Sequence, residues 1–199
     1  MNKVRLNDAM MAKAFELFDS YNQNDPNGVT SDGLNFPATY FYALKLHDWV
    51  LKLDPHASDV LLLASRCQHI GRWEKPRNSY PDGKTGYLNW RSDLAKYHTS
   101  IAAELLVQAG CPQDVVEQAQ QIILKKKIKL DPEVQLMENA LCLVFLEYQL
   151  VDFIKEHDED KVIRILRKSW FKMDEQGRQT ALGLSFSDKA AVLVGKALA

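Results

Sequence analysis

Cysteine is scarce in this sequence: Cys67, Cys111 and Cys142 are three in 199 residues, an odd number with no Cys-x-x-Cys spacing. That argues against a disulfide framework or a structural zinc site and fits a reducing cytoplasm. An excess of one charge is lacking too. With 25 Lys and Arg against 26 Asp and Glu, the net charge of −1 disfavours a nucleic-acid partner held by bulk charge. No apolar run reaches membrane-spanning length. The opening residues, MNKVRLNDAMMAKAFELF, are interrupted by Asn7 and Asp8, so we expect no signal peptide, no membrane partner and a cytoplasmic location. Strand signals are also missing, and there is neither a repeat nor a low-complexity block.

What remains is helical periodicity. Met11, Phe15 and Phe18 share one face of a helix over 8–21, and the turn formers of NQNDPNGVTSDGLNFP predict a loop over 22–37. A second helix is expected from Ala38 to Leu53, stopped by Asp54-Pro55. A third runs from the N-cap Ser58 to about Trp73. Pro76, Pro81, Gly83 and Gly86 make the next segment irregular. A long helix over 87–109 ends at Gly110, and Pro112 opens a fifth that turns basic at LKKKIK. Residues 133–156 form a helix whose middle, ALCLVFL, is apolar all round and so belongs at the centre of a core. Helices over 159–171, 174–182 and 187–198 complete one compact all-α domain spanning 1–199.

Candidate chemistry starts at RCQHIGRWEKPR. On the expected third helix, Arg66, His69 and Trp73 share a stripe, and Arg72, Glu74, Lys75 and Arg77 follow where the helix must break. Cations on an irregular segment beside an aromatic suit an anionic ligand. Arg91 and His98 lie two turns apart on one face, with Trp90 and Leu94 adjoining. Glu138 and Asn139 precede the apolar run, where a carboxylate must be paired, protonated or metal-bound. The lysines Lys125, Lys126, Lys127 and Lys129 form a basic helix end.

The order His47, His69, His98, Glu138-Asn139 resembles the HD superfamily of all-α metal-dependent phosphohydrolases. There a His, a His-Asp pair and a distant Asp hold divalent metal. Here Ile70 follows His69 and Asn139 stands at the distal place. A fuller resemblance covers about 1–184, leaving 185–199 as a C-terminal helix. QHIGRWEKPRNSYP, GYLNWRSDLAKYH and LDPEVQLMENALCLVFLEYQ are similar to domain of unknown function family 4202. It implies an HD-domain-like fold and a site around Gln68, His69, Arg72, Trp73, Glu74, Arg77, Tyr80, Tyr87, Trp90 and Arg91.

On that basis His69, Arg72, Arg77 and Arg91 are expected on a phosphorylated or otherwise anionic small molecule. Gln68, Trp90, His98 and Lys126 are expected beside it, with Trp73 or Tyr80 stacking on a ring. Glu74 orients the cations. His69, Glu74 and Glu138 are the catalytic candidates, and His69, Glu138 and Asn139 the candidate ligands of a Mn, Mg or Fe ion. If the protein is an enzyme, phosphoester hydrolysis is the implied class. A non-catalytic binding or regulatory module is the alternative, with an RNA-associated factor behind both. The oligomeric state stays open.

Overall fold

The structure, a computed structural model, describes residues 4–199. The first three positions of the expected domain and N-terminus therefore lie outside the described residues. The chain is mostly helical, as expected, and divides into two compact units, Met1–Lys126 and Lys127–Ala199.

In the first unit α1 (Asp8–Asn22) is capped by the Asn7 side chain, which accepts from the Met10 amide. The segment expected as loop contains a hairpin, β1 (Gly28–Ser31) and β2 (Leu34–Pro37), in antiparallel register with Ser31 opposite Leu34. Asp32 and Gly33 both have positive φ, 50° and 76°, which is the Asp-Gly chemistry of a tight hairpin turn. Strands of four residues are too short for alternation to show in the sequence. There follow α2 (Ala38–Leu53), α3 (Asp59–Cys67), α4 (Gly83–Gln108) and α5 (Gln113–Ile123). Here α3 packs on α2 and α5, α4 packs on α5, and α1 leans on α3 and α4. Their shared core includes Phe18, Leu46, Leu61, Leu63, Ile70 and Leu106.

Two helix ends differ from expectation, and both matter for the site. The helix α3 stops at Cys67, not Trp73. Its chain tightens through i→i+3 bonds, Ile70 N to Cys67 O and Arg72 N to His69 O, both 3.1 Å. Gly71 then takes a left-handed conformation, φ 68°, so Arg66, His69 and Trp73 share no helix face. A Cβ at Gly71 would also lie 2.5 Å from Ile101 Cδ1, because the turn sits directly on α4. The helix α5 stops at Ile123, before the lysine run. Lys126 N bonds back to Gln121 O at 3.0 Å and Lys125 adopts φ 53°, a left-handed helix cap that usually falls to glycine.

Two single turns of 3₁₀ helix, Arg72–Glu74 and Arg77–Ser79, bridge α3 to α4. The bridge passes so close to the first turn of α4 that a Cβ on Gly86 would lie 1.9 Å from the Pro81 carbonyl oxygen. Backbone cannot yield as a side-chain tip can. Gly86→Ala is therefore expected to cost about 2 kcal/mol. Urea denaturation checks this, and an unchanged midpoint would show that the bridge is free to move.

In the second unit Asp131 caps α6 (Pro132–Val144), accepting from the Glu133 and Val134 amides, with Pro132 in the first turn. A π-helical turn, Phe145–Gln149, joins it without a break to α7 (Leu150–Glu156). The continuous helix Pro132–Glu156 has 25 residues and a window of mean hydropathy 1.2, enough to cross a membrane by length and composition. The absence of such a span expected from the sequence holds for unbroken apolar runs only. Yet 61% of that window is buried, as in a core helix. Ala140, Leu143 and Val144 are buried, in line with the expected central position. Around it lie α8 (Glu159–Lys172), α9 (Glu175–Leu182) and α10 (Asp188–Leu198).

Candidate functional site

A cleft of about 300 Å³ opens in the first unit. One wall is a stripe of α4: Tyr87, Trp90, Arg91, Leu94, Ala95 and His98 recur at helical spacing. The turn after α3 supplies Gln68, His69 and Arg72, and the end of α5 supplies Ile123, Leu124 and Lys125. Among the described residues that line it, none is acidic, while Arg72, Arg91 and Lys125 all carry positive charge.

The turn is hung on α4 by two hydrogen bonds. Trp90 Nε1 donates to the Lys75 carbonyl at 2.8 Å, and His98 Nδ1 lies 2.5 Å from the Ile70 carbonyl oxygen. Because a carbonyl only accepts, Nδ1 carries the proton, and in a neutral ring Nε2 keeps its lone pair. Burial pushes the His98 pKa down to about 4. The bond to Ile70 works against that shift and the charge of Arg72 adds to it. His69, half-buried, has its ring centroid 5.7 Å from that of His98. Desolvation first, then the fixed charges of Arg72, Lys125 and Arg91, hold its pKa well below the ordinary imidazole value. Two neutral imidazoles thus sit among fixed cations. The Arg72 guanidinium stands 5.3 Å from the Trp90 ring centroid and that of Arg91 stands 6.0 Å from Tyr87, in cation–π geometry.

Of the residues singled out from the sequence, Gln68, His69, Arg72, Tyr87, Trp90, Arg91 and His98 come together in this lining. Others brace the bridge. Glu74 accepts from the Tyr21 hydroxyl at 3.0 Å and also from the Tyr97 hydroxyl, so its partners are phenols from α1 and α4, not the cations it was expected to orient. Trp73 packs on Tyr21 with ring centroids 5.8 Å apart. Arg77 donates to the Tyr80 and Pro81 carbonyls at 2.9 and 3.0 Å, and the Tyr80 hydroxyl reaches Asp93 at 3.2 Å. Lys125, not Lys126, enters the lining. The basic run marks Lys125 together with Lys126, Lys127 and Lys129, but spacing cannot choose among them, because nothing in the sequence marks a lysine as the left-handed residue of a helix cap. His47 packs edge-on against Phe15, its Nδ1 3.0 Å from Ser65 Oγ.

Glu138 and Asn139 belong to the second unit. Glu138, 2% exposed, is paired with Lys172 Nζ at 2.8 Å, which meets its buried charge. Asn139 is fully buried, and both ends of its amide are engaged. Its Nδ2 donates to Asp174 Oδ1 at 2.7 Å. Its Oδ1 accepts from Gln135 Nε2 at 3.0 Å and from the Asp174 amide at 3.1 Å. Among the described residues, no group of three or more His, Cys, Asp or Glu could hold a metal ion.

Fold and cleft together define a mostly helical protein with an acid-free, cationic cleft between one long helix and two helix ends. The chain belongs to the family described as Domain of unknown function (DUF4202), whose model matches residues 12–194. Neither a curated protein nor a solved structure matches it.

Proposed function

We propose that the first unit binds a phosphorylated or otherwise anionic small molecule in the cleft, with Arg72, Arg91 and Lys125 on the anion. The observation that carries this is charge segregation. In a chain of net charge −1, three cations converge on one cleft whose described lining holds no carboxylate. His69, neutral and half-buried, would add a hydrogen bond.

Lys125 adopts φ 53°, as Lys127 and Lys129 adopt 61° and 69° outside the cleft lining, and a left-handed lysine costs about 1 kcal/mol relative to a residue free to adopt that conformation. Lys125→Gly is therefore expected to leave stability unchanged or slightly raised while weakening anion binding. In thermal-shift titrations with inorganic phosphate or pyrophosphate, the wild type should be stabilised. Lys125→Gly and Arg91→Ala should each bind about 10-fold more weakly, as for loss of one charge-assisted hydrogen bond. Absence of any anion-dependent shift in the wild type would overturn the proposal.

An HD-like fold, and phosphoester hydrolysis with it, is a second reading. It is favoured by the meeting of His69 and His98 at 5.7 Å. The cleft's own donors, two imidazoles and an amide, do not fit a hard Mn²⁺ or Mg²⁺ ion, which seeks carboxylate oxygens, and they lack the carboxylate that completes a two-histidine iron site. The place that would hold an aspartate is the fully buried Ile70. We therefore assign no metal-dependent step, and a metal-free binding or regulatory module is the better-supported form of the proposal.

A further inference from the structure

Two acceptor atoms of cleft-lining residues, both closed off from water in the unliganded fold, lack a hydrogen-bond partner among the described residues: Gln68 Oε1 and His98 Nε2. Both residues line the cleft and are almost completely buried, 4% and 3% exposed. Their chemical character is settled by the other end of each side chain. Gln68 Nε2 donates to the Ile123 carbonyl at 3.0 Å, which orients the amide and leaves its oxygen as the unpaired end. His98 Nδ1 is turned to the Ile70 carbonyl, which leaves Nε2 as a lone pair. A buried acceptor left unpaired is unfavourable, and its desolvation cost is already met in the unliganded fold. A ligand donor that reaches it gains a hydrogen bond without stripping water from the protein side. A phosphate oxygen offered to the same place meets only lone pairs.

The cleft is thus polarised. Cations at Arg72, Arg91 and Lys125 suit an anion, and the two buried acceptors suit an uncharged donor and repel the anion. Building on the anion-binding reading above, we propose that the ligand is a phosphomonoester whose other end carries hydroxyl or amino donors. That end lies against Gln68 and His98 and the phosphate against the three cations. A sugar phosphate and a nucleoside monophosphate both have this chemistry. The cleft's size, about 300 Å³, is at the small end of ligand sites and suits molecules of that order.

The experiment compares dissociation constants on the full chain for inorganic phosphate, phenyl phosphate, ribose 5-phosphate and adenosine 5′-monophosphate. Phenyl phosphate has a ring but no donor outside the phosphate. The expected result is that ribose 5-phosphate, adenosine 5′-monophosphate or both bind at least 10-fold more tightly than phenyl phosphate. Which of the two leads separates a sugar from a nucleoside ligand. Gln68→Met, close in shape, should bring the ratio towards 1. If that variant does not fold, the wild-type series decides alone. Equal affinity for phenyl phosphate and the donor-bearing esters would overturn this inference and leave anion binding standing. Failure of all four probes to bind would sink both.

Discussion

Asn139→Asp is expected to lower stability by about 3–5 kcal/mol, although it changes one amide into a carboxylate of the same shape. Asn139 Nδ2 donates to Asp174 Oδ1 at 2.7 Å in a fully buried setting. An aspartate would replace that donor by an oxygen facing a second carboxylate. The damage extends to α9, because Asp174 caps that helix by accepting from the Gly177 amide at 3.0 Å. Space is equally tight, for a Cβ on Gly177 would lie 2.7 Å from the Asn139 amide. The sign with pH is determined as well. A carboxyl buried beside another has its folded-state pKa raised, so the folded variant holds a proton that the unfolded chain releases. The penalty is therefore smallest in acid and grows as pH rises. Denaturant titrations at pH 5 and pH 8 check both magnitude and trend. A loss below 1 kcal/mol at pH 8 would mean that Asn139 is not the clamp between α6 and the start of α9. The same position bears on the HD resemblance. The aspartate that resemblance leads one to expect is, in this chain, opposed by Asp174.

The second large effect concerns His98. Its pKa falls from 6.5 in the unfolded chain to about 4 in the fold. Between those values the unfolded state binds more protons, so this residue's stabilisation is complete above pH 6.5 and is lost as pH drops towards 4. The loss amounts to about 3 kcal/mol. His69, also shifted down, adds to it in the same direction. His98→Gln retains an amide able to donate to the Ile70 carbonyl but cannot titrate. The stability difference between wild type and variant should therefore shrink or reverse by about 3 kcal/mol on going from pH 7 to pH 4. Parallel pH profiles for the two proteins would show that the imidazole is not held neutral, and would remove the lone pair on which the donor preference rests.

Much of the helical framework was legible in the sequence, because periodicity and caps are local. Ser58, Asp54-Pro55, Gly110 and Asp131-Pro132 punctuate the chain where helices begin and end. Trp90, Arg91, Leu94 and His98 on α4 could be read from spacing, and with them a third of the cleft lining, while Tyr87 was marked only by the family resemblance. The hairpin was missed because its strands are four residues long, although Asp32-Gly33 carried the turn signal. The extension of α3 to Trp73 failed because amphipathic spacing continued past the point where Gly71 turns left-handed against Ile101. Glu138 was correctly singled out as a buried acid needing a partner, but Lys172, 34 residues away, is not a partner that spacing can suggest.

By itself, then, the sequence determined a helical chain, the helix boundaries marked by local caps, family membership through long motifs, and a concentration of polar chemistry near His69. Tertiary structure decided what that chemistry faces. It separated the bracing residues Glu74, Arg77 and Tyr80 from the lining residues, chose Lys125 over its neighbours, and left Gln68 Oε1 and His98 Nε2 unpaired beside three cations. The physical reason is the range of the forces. Caps and periodicity act within a turn or two of backbone, whereas charge convergence and the burial of an acceptor depend on which distant side chains share one cleft.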